Sequence, residues 1–283
     1  FLGMALAAVR LIRTQRIFYA VAFGVLVAVE SLTRGLSVVF APLLIGYLLL
    51  TMKPMKKALI AGLCVVGSAA VLLLPWMTYT NSVYGAPVLV TGGGLRVWQG
   101  NNPYLHECGY PINTIDLCPF STPAAAYLPE GTEEALTLLS APERDRYMMQ
   151  LGLNYMVSDP GLTLRRMLTK LNAVWSPLYN PTFTTNGAHV SRMKQAIYTL
   201  TYTPIMLLAF MGMVWAWRRN RSAVMVCVCV CAAFSAYSAL LWGHTFHKLF
   251  LMPLLIVFAA YGAEVVFKFW MHRSGKHDIT NAR

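Results

Sequence analysis

Long apolar stretches separated by short polar or basic loops occupy both ends of the chain. A helix crosses the hydrocarbon of a bilayer with about 20 apolar residues, or fewer when it belongs to a hairpin. The last apolar stretch is interrupted by the polar turn GHTFHK. The pattern therefore predicts about six or seven transmembrane helices, including a short first one, with the clear segments at 17–33, 35–51, 58–78, 199–217 and, in two parts, 223–269.

The first apolar run, FLGMALAAV, begins directly at Phe1. Because this run is shorter than a full membrane span, we expect the first helix to be truncated and the chain to be a piece of a longer protein. The resulting division has transmembrane helices in 1–78, an extramembrane loop at 79–198, three transmembrane helices in 199–269 and a tail at 270–283.

The loop at 79–198 is too long to be a simple connection. Two of its segments, 142–156 and 159–175, have apolar residues at helical spacing, and Ser140 and Asp159 can serve as their N-caps. Their apolar stripes belong either on the membrane surface and bundle top or in a small globular subdomain. The fold class that follows is an all-α integral membrane protein, a polytopic helical bundle with an extracytoplasmic loop subdomain.

Composition and charge support this assignment. Hydrophobic residues make up 57% of the 283 residues and charged residues only 12%, against roughly 25% charged in soluble domains. The net charge of +12 comes largely from the short loops RLIRTQR, KPMKK and RRNR. Such clusters mark cytoplasmic loops, which places 79–198 and GHTFHK on the opposite, extracytoplasmic face. This distribution argues against a nucleic-acid partner.

Several enzyme classes lack their motifs in this sequence. It contains no HExxH, no paired CxxC and no GxSxG, so neither a zinc peptidase nor a serine hydrolase is supported, and no metal site is predicted. Cys227, Cys229 and Cys231 alternate with valine within a helix and are interpreted as packing residues. Cys108 and Cys118 lie in the extracytoplasmic loop, where a disulfide between them is possible because that compartment is oxidising.

Cations and ring donors from separate segments are predicted at the outer ends of the helices. Arg34 ends one helix, Trp76 lies near the end of another, Arg96 follows three glycines, and His247 and Lys248 occupy the last outer turn. A lipid-linked phosphate suits such a cluster, because its charge lies at headgroup depth while its tail occupies a groove between helices. Arginine binds phosphate bidentately and lysine supplies a point charge.

The stretch GGGLRVWQGNNP, residues 92–103, has the composition of a polar turn with ligand-binding groups. Its glycines let backbone amides approach an oxyanion. Trp98 offers a flat apolar face to a sugar ring, and Asn101 and Asn102 offer amide donors and acceptors to hydroxyls. The simpler interpretation is an ordinary turn beside an aromatic belt and snorkelling cations.

Three stretches in this order, ESLTRGLSVVFAPLLIGYLLL, LLLPWMTYTNSVYGAPVLVTGGGLRVWQGNNP and HTFHKLFLMPLLIVFAAYG, resemble the C-terminal half of the membrane region of GT-C glycosyltransferases. The similarity is to the dolichyl-phosphate-mannose-protein mannosyltransferase-like family and extends from about residue 24 to 263, with GNNP as its most specific part. The chain departs from the family pattern at TRG in place of TRP, at Thr80 in place of arginine, and at the HK pair.

The resemblance implies an inverting transfer of a sugar from a polyprenyl-phosphate donor to a protein, lipid or glycan acceptor on the extracytoplasmic face, with no further cofactor. The general base, a carboxylate, is expected upstream of Phe1. The residues expected to hold the donor phosphate are Arg34, His247 and Lys248. Those expected to shape the sugar or acceptor pocket are Arg96, Trp98, Asn101 and Asn102.

Two other functions use the same features. A transporter or flippase of a lipid-linked precursor would hold the phosphate without breaking a bond, and Glu30 and Glu264, in or near helices, could relay protons. For Glu264, which lies close to the cytoplasmic end, a snorkelling or capping role is the favoured interpretation. Such proteins often carry inverted repeats, and the sequence shows no such internal symmetry. The third possibility is a structural subunit that scaffolds partners.

Overall fold

The computed structural model describes residues 2–34, 37–90, 92–103, 129, 131–177, 192–241 and 247–273. Within these ranges there is no strand, which confirms the all-α prediction for the described part of the chain. The α-helices are α1 (Leu2–Thr14), α2 (Ile17–Arg34), α3 (Ser37–Thr51), α4 (Met55–Tyr84), α5 (Gly93–Gly100), α6 (Thr132–Leu138), α7 (Ala141–Ser158), α8 (Pro160–Trp175), α9 (Arg192–Arg219), α10 (Arg221–Leu240) and α11 (Met252–Arg273). A 3₁₀ helix at His247–Phe250 precedes α11.

Four helices among the described residues are long and apolar enough to cross a membrane: Met55–Tyr84, Arg192–Arg219, Arg221–Leu240 and Met252–His272. The helices α2 and α3 are apolar but shorter. By length and composition the structure therefore supports a membrane protein with four candidate spans, fewer than the six or seven predicted.

Helix α4 extends beyond the predicted exit at residue 78. It continues to Tyr84 with Pro75 inside it, and it ends where Gly85 adopts a left-handed conformation with φ of +69°. The amide of Gly85 donates to the carbonyl of Asn81. The six additional residues remain helical because no helix-breaking residue lies between Pro75 and Gly85, and glycine adopts a positive φ without steric cost.

Two pairs of long helices pack closely against each other at glycine residues. Helices α2 and α4 approach so closely at Gly24 that an added Cβ would collide with the carbonyl of Val65 and the hydroxyl of Ser68. Helices α9 and α11 meet at Gly212 and Gly262, where a Cβ would collide with backbone carbonyls of the facing helix. Small residues of this kind let apolar helices pack backbone against backbone in a membrane.

The apolar core joins α1, α2, α3, α4, α9, α10 and α11 and includes Val174 of α8. Cys227 is fully buried in this core, and Cys229 and Cys231 pack against it, which confirms the packing interpretation of these cysteines. In the part of the chain that is described, no three histidine, cysteine or acidic side chains come together in a possible metal site.

Helices α7 and α8 match the two helices predicted in the loop. At the start of α7 the carboxylate of Glu143 accepts hydrogen bonds from both the amide and the hydroxyl of Ser140. At the start of α8 the carboxylate of Asp159 accepts from the amide of Leu162 at 2.9 Å. These caps satisfy amides that the first turn of a helix leaves without a partner.

Candidate functional site

The glycine-rich stretch forms the short helix α5 rather than an open turn. Gly92 precedes it with φ of +104°, and the amides of Gly92 and Gly94 both donate to Oδ1 of Asp145 at 2.8 Å. The sequence predicted that these amides would bind a phosphate oxygen. In the structure the oxyanion at this position is a carboxylate of the chain itself, supplied by α7.

Helix α5 lies against α7 with very little space between the backbones. A Cβ at Gly94 would collide with the carbonyl of Asp145, and one at Gly152 would lie 2.8 Å from Cγ1 of Val97 and 3.0 Å from the amide of Trp98. Trp98 is 5% exposed, so its ring packs inside the protein. Contact between Trp98 and a sugar stays a prediction that requires α5 to move.

Asn101 connects three helices at the end of α5. Its side chain is 1% exposed. The amide nitrogen donates to the carbonyls of Val97, at 2.9 Å, and Leu240, at 2.7 Å. The amide oxygen accepts from Nζ of Lys170 at 3.1 Å. Asn101 thereby ties α5 to the end of α10 and to the middle of α8.

Asn102 is also buried, but its side-chain oxygen differs from that of Asn101 in its hydrogen bonding. Its amide nitrogen donates to the carbonyl of Trp98 at 2.9 Å, and its main-chain oxygen accepts from Nη1 of Arg166 at 3.1 Å. Oδ1 of Asn102 makes no hydrogen bond with any described residue. A buried acceptor without a partner costs free energy. A ligand hydroxyl could satisfy this oxygen only after the surrounding helices move, because the atom is inaccessible in the structure.

Lys248 lies in the 3₁₀ helix before α11, outside the candidate spans, and is 2% exposed. Its ammonium donates to the carbonyl of Ser176 at 3.1 Å. It also lies 3.6 Å from the ring centre of Tyr202 and 5.0 Å from that of Tyr198, and these two rings stack on each other. Burial lowers the pKa of Lys248 to about 7, because the charged form loses hydration.

Lys248 has no acidic partner in the described part of the chain. The ion pair found there joins Lys268 to Glu264, on the exposed surface of α11. The contacts of Lys248 are a carbonyl and two aromatic rings, which solvate a cation but do not neutralise it. An anion that reached the ammonium would supply the missing negative charge.

Helix α8 holds the GNNP segment and Lys248 at the same end of the bundle. Lys170 contacts Asn101, and Ser176, directly after α8, contacts Lys248. Ser176 lies six positions after Lys170, which corresponds to about 9 Å along a helix. The indole of Trp175 donates to the hydroxyl of Ser235 at 3.0 Å and fixes α8 on α10.

Of the other predicted site residues, only Arg96 has a described side chain. Arg96 is half-buried on α5, where Nη1 donates to Oε1 of Gln99 at 3.0 Å. Arg34 is the last residue of α2 and His247 the first of the 3₁₀ helix, but their side chains are outside the described part. Cys108 and Cys118 also lie outside the described residues, so their disulfide stays a prediction.

Trp76 lines a different part of the molecule. A cavity of about 390 Å³ lies between the ends of α2 and α4 and the following residues 88–90. The indole of Trp76 donates to the carbonyl of Leu89 at 3.1 Å, and the amide of Val88 donates to the hydroxyl of Thr80 at 3.2 Å. These bonds fold the chain back over the end of α4 on its way to α5.

Sequence analysis missed three residues that organise this region: Asp145, Arg166 and Lys170. The apolar positions that predicted α8 were Leu162, Met167, Leu168 and Leu171. Leu168 is 59% exposed and the other three are half-buried, whereas Arg166 and Lys170 are 4% and 1% exposed. The sequence contained one signal for these two cations. Arg166 and Lys170 are four positions apart, and residues with that spacing share a helix face. The two cations therefore lie on one side of α8.

No family model, curated protein or solved structure matches this chain. The function is therefore inferred from the residues and their geometry. The polar groups buried in this region include the ammonium of Lys248, the side-chain oxygen of Asn102, and the two cations of α8, Arg166 and Lys170.

Proposed function

We propose that this chain is the C-terminal membrane portion of a GT-C-type glycosyltransferase in a multi-pass membrane protein. In this proposal six or seven of its helices lie in the membrane, and a sugar passes from a polyprenyl-phosphate donor to an acceptor on the extracytoplasmic face. The observation that carries the proposal is the placement of Lys248. Its buried ammonium has no carboxylate partner among the described residues, and it contacts Ser176 at the end of α8, the helix that also contacts the GNNP segment.

The free energy of the buried cation favours an anionic ligand. The pKa of Lys248, at about 7, reflects the cost of keeping an ammonium away from water. A phosphate oxygen beside the ammonium offsets that cost through a charge-assisted hydrogen bond. A phosphodiester in a polyprenyl-phosphate sugar keeps its negative charge throughout the neutral range and therefore suits this position.

The distribution of basic residues agrees with a site at the extracytoplasmic end. Arg16 precedes α2, Lys56 lies in the first turn of α4, and Arg219 ends α9. In the proposed topology, in which successive helices cross the membrane in alternating directions, these residues are on the side opposite to Lys248. Basic loops of this kind are retained on the cytoplasmic side. The end of the bundle with Lys248 and α5 would then face outward.

Each residue has a proposed role. Lys248, with Arg34 and His247, holds the leaving phosphate, and stabilisation of charge on departure is the main electrostatic contribution to such a transfer. Arg96 and Oδ1 of Asn102 contact the sugar or the acceptor. Asn101 and Trp98 act by holding α5 in place, since both are buried among helices. The general base belongs to a part of the enzyme preceding this chain.

A transfer assay on the longer protein tests the proposal. The assay supplies a radiolabelled polyprenyl-phosphate sugar and measures both glycosylated acceptor and released polyprenyl phosphate. Lys248→Ala should reduce both products by about 100-fold or more, whereas Lys268→Ala, which changes an exposed lysine at the other end of α11, should leave them unchanged.

The same assay separates the competing functions. A flippase would move the labelled lipid across the membrane without releasing the sugar, and a scaffold would do neither. Unchanged turnover in Lys248→Ala, with the protein correctly inserted, would refute the role of this lysine.

A further inference from the structure

Three arginines lie close together where α9 ends and α10 begins. Arg218 and Arg219 are the last residues of α9, and Arg221 is the first residue of α10. All three side chains are exposed. The salt bridge found among the described residues joins Lys268 to Glu264 and includes none of these arginines. Three guanidinium groups therefore lie within residues 218–221 without a salt bridge to a described carboxylate.

Helix α11 ends beside these arginines because it runs parallel to α9. The ring of Tyr202 on α9 lies against Lys248, which precedes α11. Further along α9, Gly212 packs against the backbone of Phe258 on α11. The contact point on α11 thus advances as the contact point on α9 advances, so the two helices run in the same direction. Their final turns lie side by side, at the end of the bundle opposite to Lys248.

The final turns of α9 and α11 form a surface with a strong excess of positive charge. The charge of Arg219 acts on the carboxylate of Glu264 on α11, and this carboxylate also forms the salt bridge with Lys268. In the described part of this surface, one carboxylate therefore lies beside four cations. The cations are Arg218, Arg219, Arg221 and Lys268.

Exposed aromatic side chains lie among these cations. Trp217 on α9 and Phe267 and Trp270 on α11 are all exposed. The guanidinium carbon of Arg221 lies 4.9 Å from the ring centre of Trp217, and the ring centres of Phe267 and Trp270 are 6.4 Å apart. Aromatic rings at the ends of apolar helices are typical of the depth at which lipid headgroups meet the acyl chains.

We infer that the final turns of α9 and α11, together with Arg221, bind the headgroup of an anionic phospholipid. The arginines hold the phosphate, since a guanidinium group donates two parallel hydrogen bonds to phosphate oxygens. The exposed rings pack against the glycerol and the upper part of the acyl chains. Basic surfaces between membrane helices bind anionic headgroups in this way.

The position of the surface favours a lipid over a soluble anion. Helices α9, α10 and α11 are each long and apolar enough to cross a membrane, so cations and rings at their ends lie at headgroup depth. The inferred site is separate from Lys248 and requires no transfer reaction. It therefore goes beyond the proposed glycosyltransferase function and does not depend on it.

The loop between α3 and α4 provides a matched control surface. It carries three exposed lysines, Lys53, Lys56 and Lys57, and no aromatic residue lies between Tyr47 and Trp76. The charge of Arg221 acts on Tyr47, near the end of α3, so this loop lies at the same end of the bundle. Removing the three lysines changes the net charge of that end as much as removing the three arginines does.

Lipid titration of the full chain in neutral detergent, followed by native mass spectrometry, tests the site. We expect phosphatidylglycerol to bind about tenfold more tightly than phosphatidylcholine. The triple variant Arg218→Gln, Arg219→Gln and Arg221→Gln should lose this preference. The triple variant Lys53→Gln, Lys56→Gln and Lys57→Gln should retain it, because the control surface lacks guanidinium groups and aromatic rings.

A second variant tests the aromatic part of the site without changing the charge. Trp217→Leu should weaken the binding of phosphatidylglycerol several-fold. Trp76→Leu is its matched control, because this tryptophan has nearly the same exposure at the other end of the bundle, and it should bind like the unaltered protein. Lys248→Ala should also retain binding, which keeps this test independent of the proposed transferase.

Three results would overturn the inference. Equal affinity of the unaltered protein for the two lipids would exclude a site for an anionic headgroup. Equal losses in the arginine and lysine triple variants would mean a diffuse attraction to the basic end rather than a site. Competition by soluble glycerol phosphate at the same concentration as phosphatidylglycerol would mean that the surface binds a free anion rather than a lipid.

Discussion

At the scale of single residues, the protonation of Lys248 makes a prediction about pH. Burial lowers its pKa from the usual value near 10.4 to about 7, so the free site is charged below pH 7 and progressively neutral above it. Binding of an anionic phosphodiester requires the charge. The dissociation constant for a polyprenyl-phosphate sugar should therefore be constant below pH 7 and rise by up to tenfold per pH unit above it.

The control for this pH dependence is Lys248→Arg. Arginine stays charged throughout this range, so the variant should bind with a flatter pH profile even if its affinity is lower. Equal slopes in the two proteins, measured by equilibrium binding between pH 6 and 9, would show that another group titrates.

A second residue-scale prediction concerns Asp145. Its carboxylate accepts the amides of Gly92 and Gly94, and hydrogen bonds to charged groups contribute about 1.5–3 kcal/mol. Asp145→Ala should lower the free energy of unfolding by about that amount and make the segment 92–103 more sensitive to protease. Glu134→Ala, at an exposed position, is the control, and equal melting temperatures for the two variants would contradict the role given to Asp145.

The side chains at the site were only partly predictable. Lys248 was selected because it lies with His247 in the last predicted outer turn, on the same predicted face as Arg34 and Arg96, and its role as a site residue stays a prediction. Asp145 was missed because its partners are backbone amides more than fifty positions away in the chain, and no local pattern encodes such a contact. Trp98 and Asn101 were assigned to a ligand pocket by their chemistry, whereas their burial depends on how α5 packs against α7, α8 and α10.

At the scale of secondary-structure elements, the contact between α5 and the end of α10 can be tested at Gly100. A Cβ there would collide with the carbonyl of Leu241 and lie 3.3 Å from Nζ of Lys170. Gly100→Ala should destabilise the protein by about 1–3 kcal/mol, since overpacking forces the backbone to shift. Thermal unfolding in detergent measures this change.

Gly62→Ala provides the matched control for this substitution. Gly62 lies inside α4, and an added Cβ there meets nothing within 4 Å. The substitution should be neutral or stabilising by up to about 1 kcal/mol, because alanine has the higher helix propensity. If both variants had the same melting temperature, the close approach of α5 to α10 would be wrong.

The elements themselves follow well from the sequence. Apolar periodicity and the caps at Ser140 and Asp159 located the helices because these signals act within one or two turns. The inward face of α8 did not follow, since its leucines dominate the local pattern while the burial of Arg166 and Lys170 is decided by α5. The end of α4 was misplaced because Trp76 resembles an interfacial anchor although the helix continues to Tyr84.

At the scale of the whole molecule, the basic loops predict the orientation in the membrane. In a variant whose six cysteines are replaced by serine, a single cysteine at Ser140→Cys should react with an impermeant maleimide in right-side-out vesicles. A cysteine at Asn220→Cys, between α9 and α10, should react only after detergent is added, because positively charged loops stay in the cytoplasm. The reverse pattern would invert the topology and place Lys248 on the cytoplasmic face.

The central claim is that Lys248 binds the phosphate of a lipid-linked sugar, and equilibrium binding tests it most directly. The measurement uses a radiolabelled polyprenyl-phosphate sugar and the full-length protein at pH 6.5, where Lys248 is charged. We predict that Lys248→Ala weakens binding by about 10- to 100-fold, the loss expected for one charge-assisted hydrogen bond, while Lys268→Ala binds like the unaltered protein. Equal affinities for all three proteins would contradict the account.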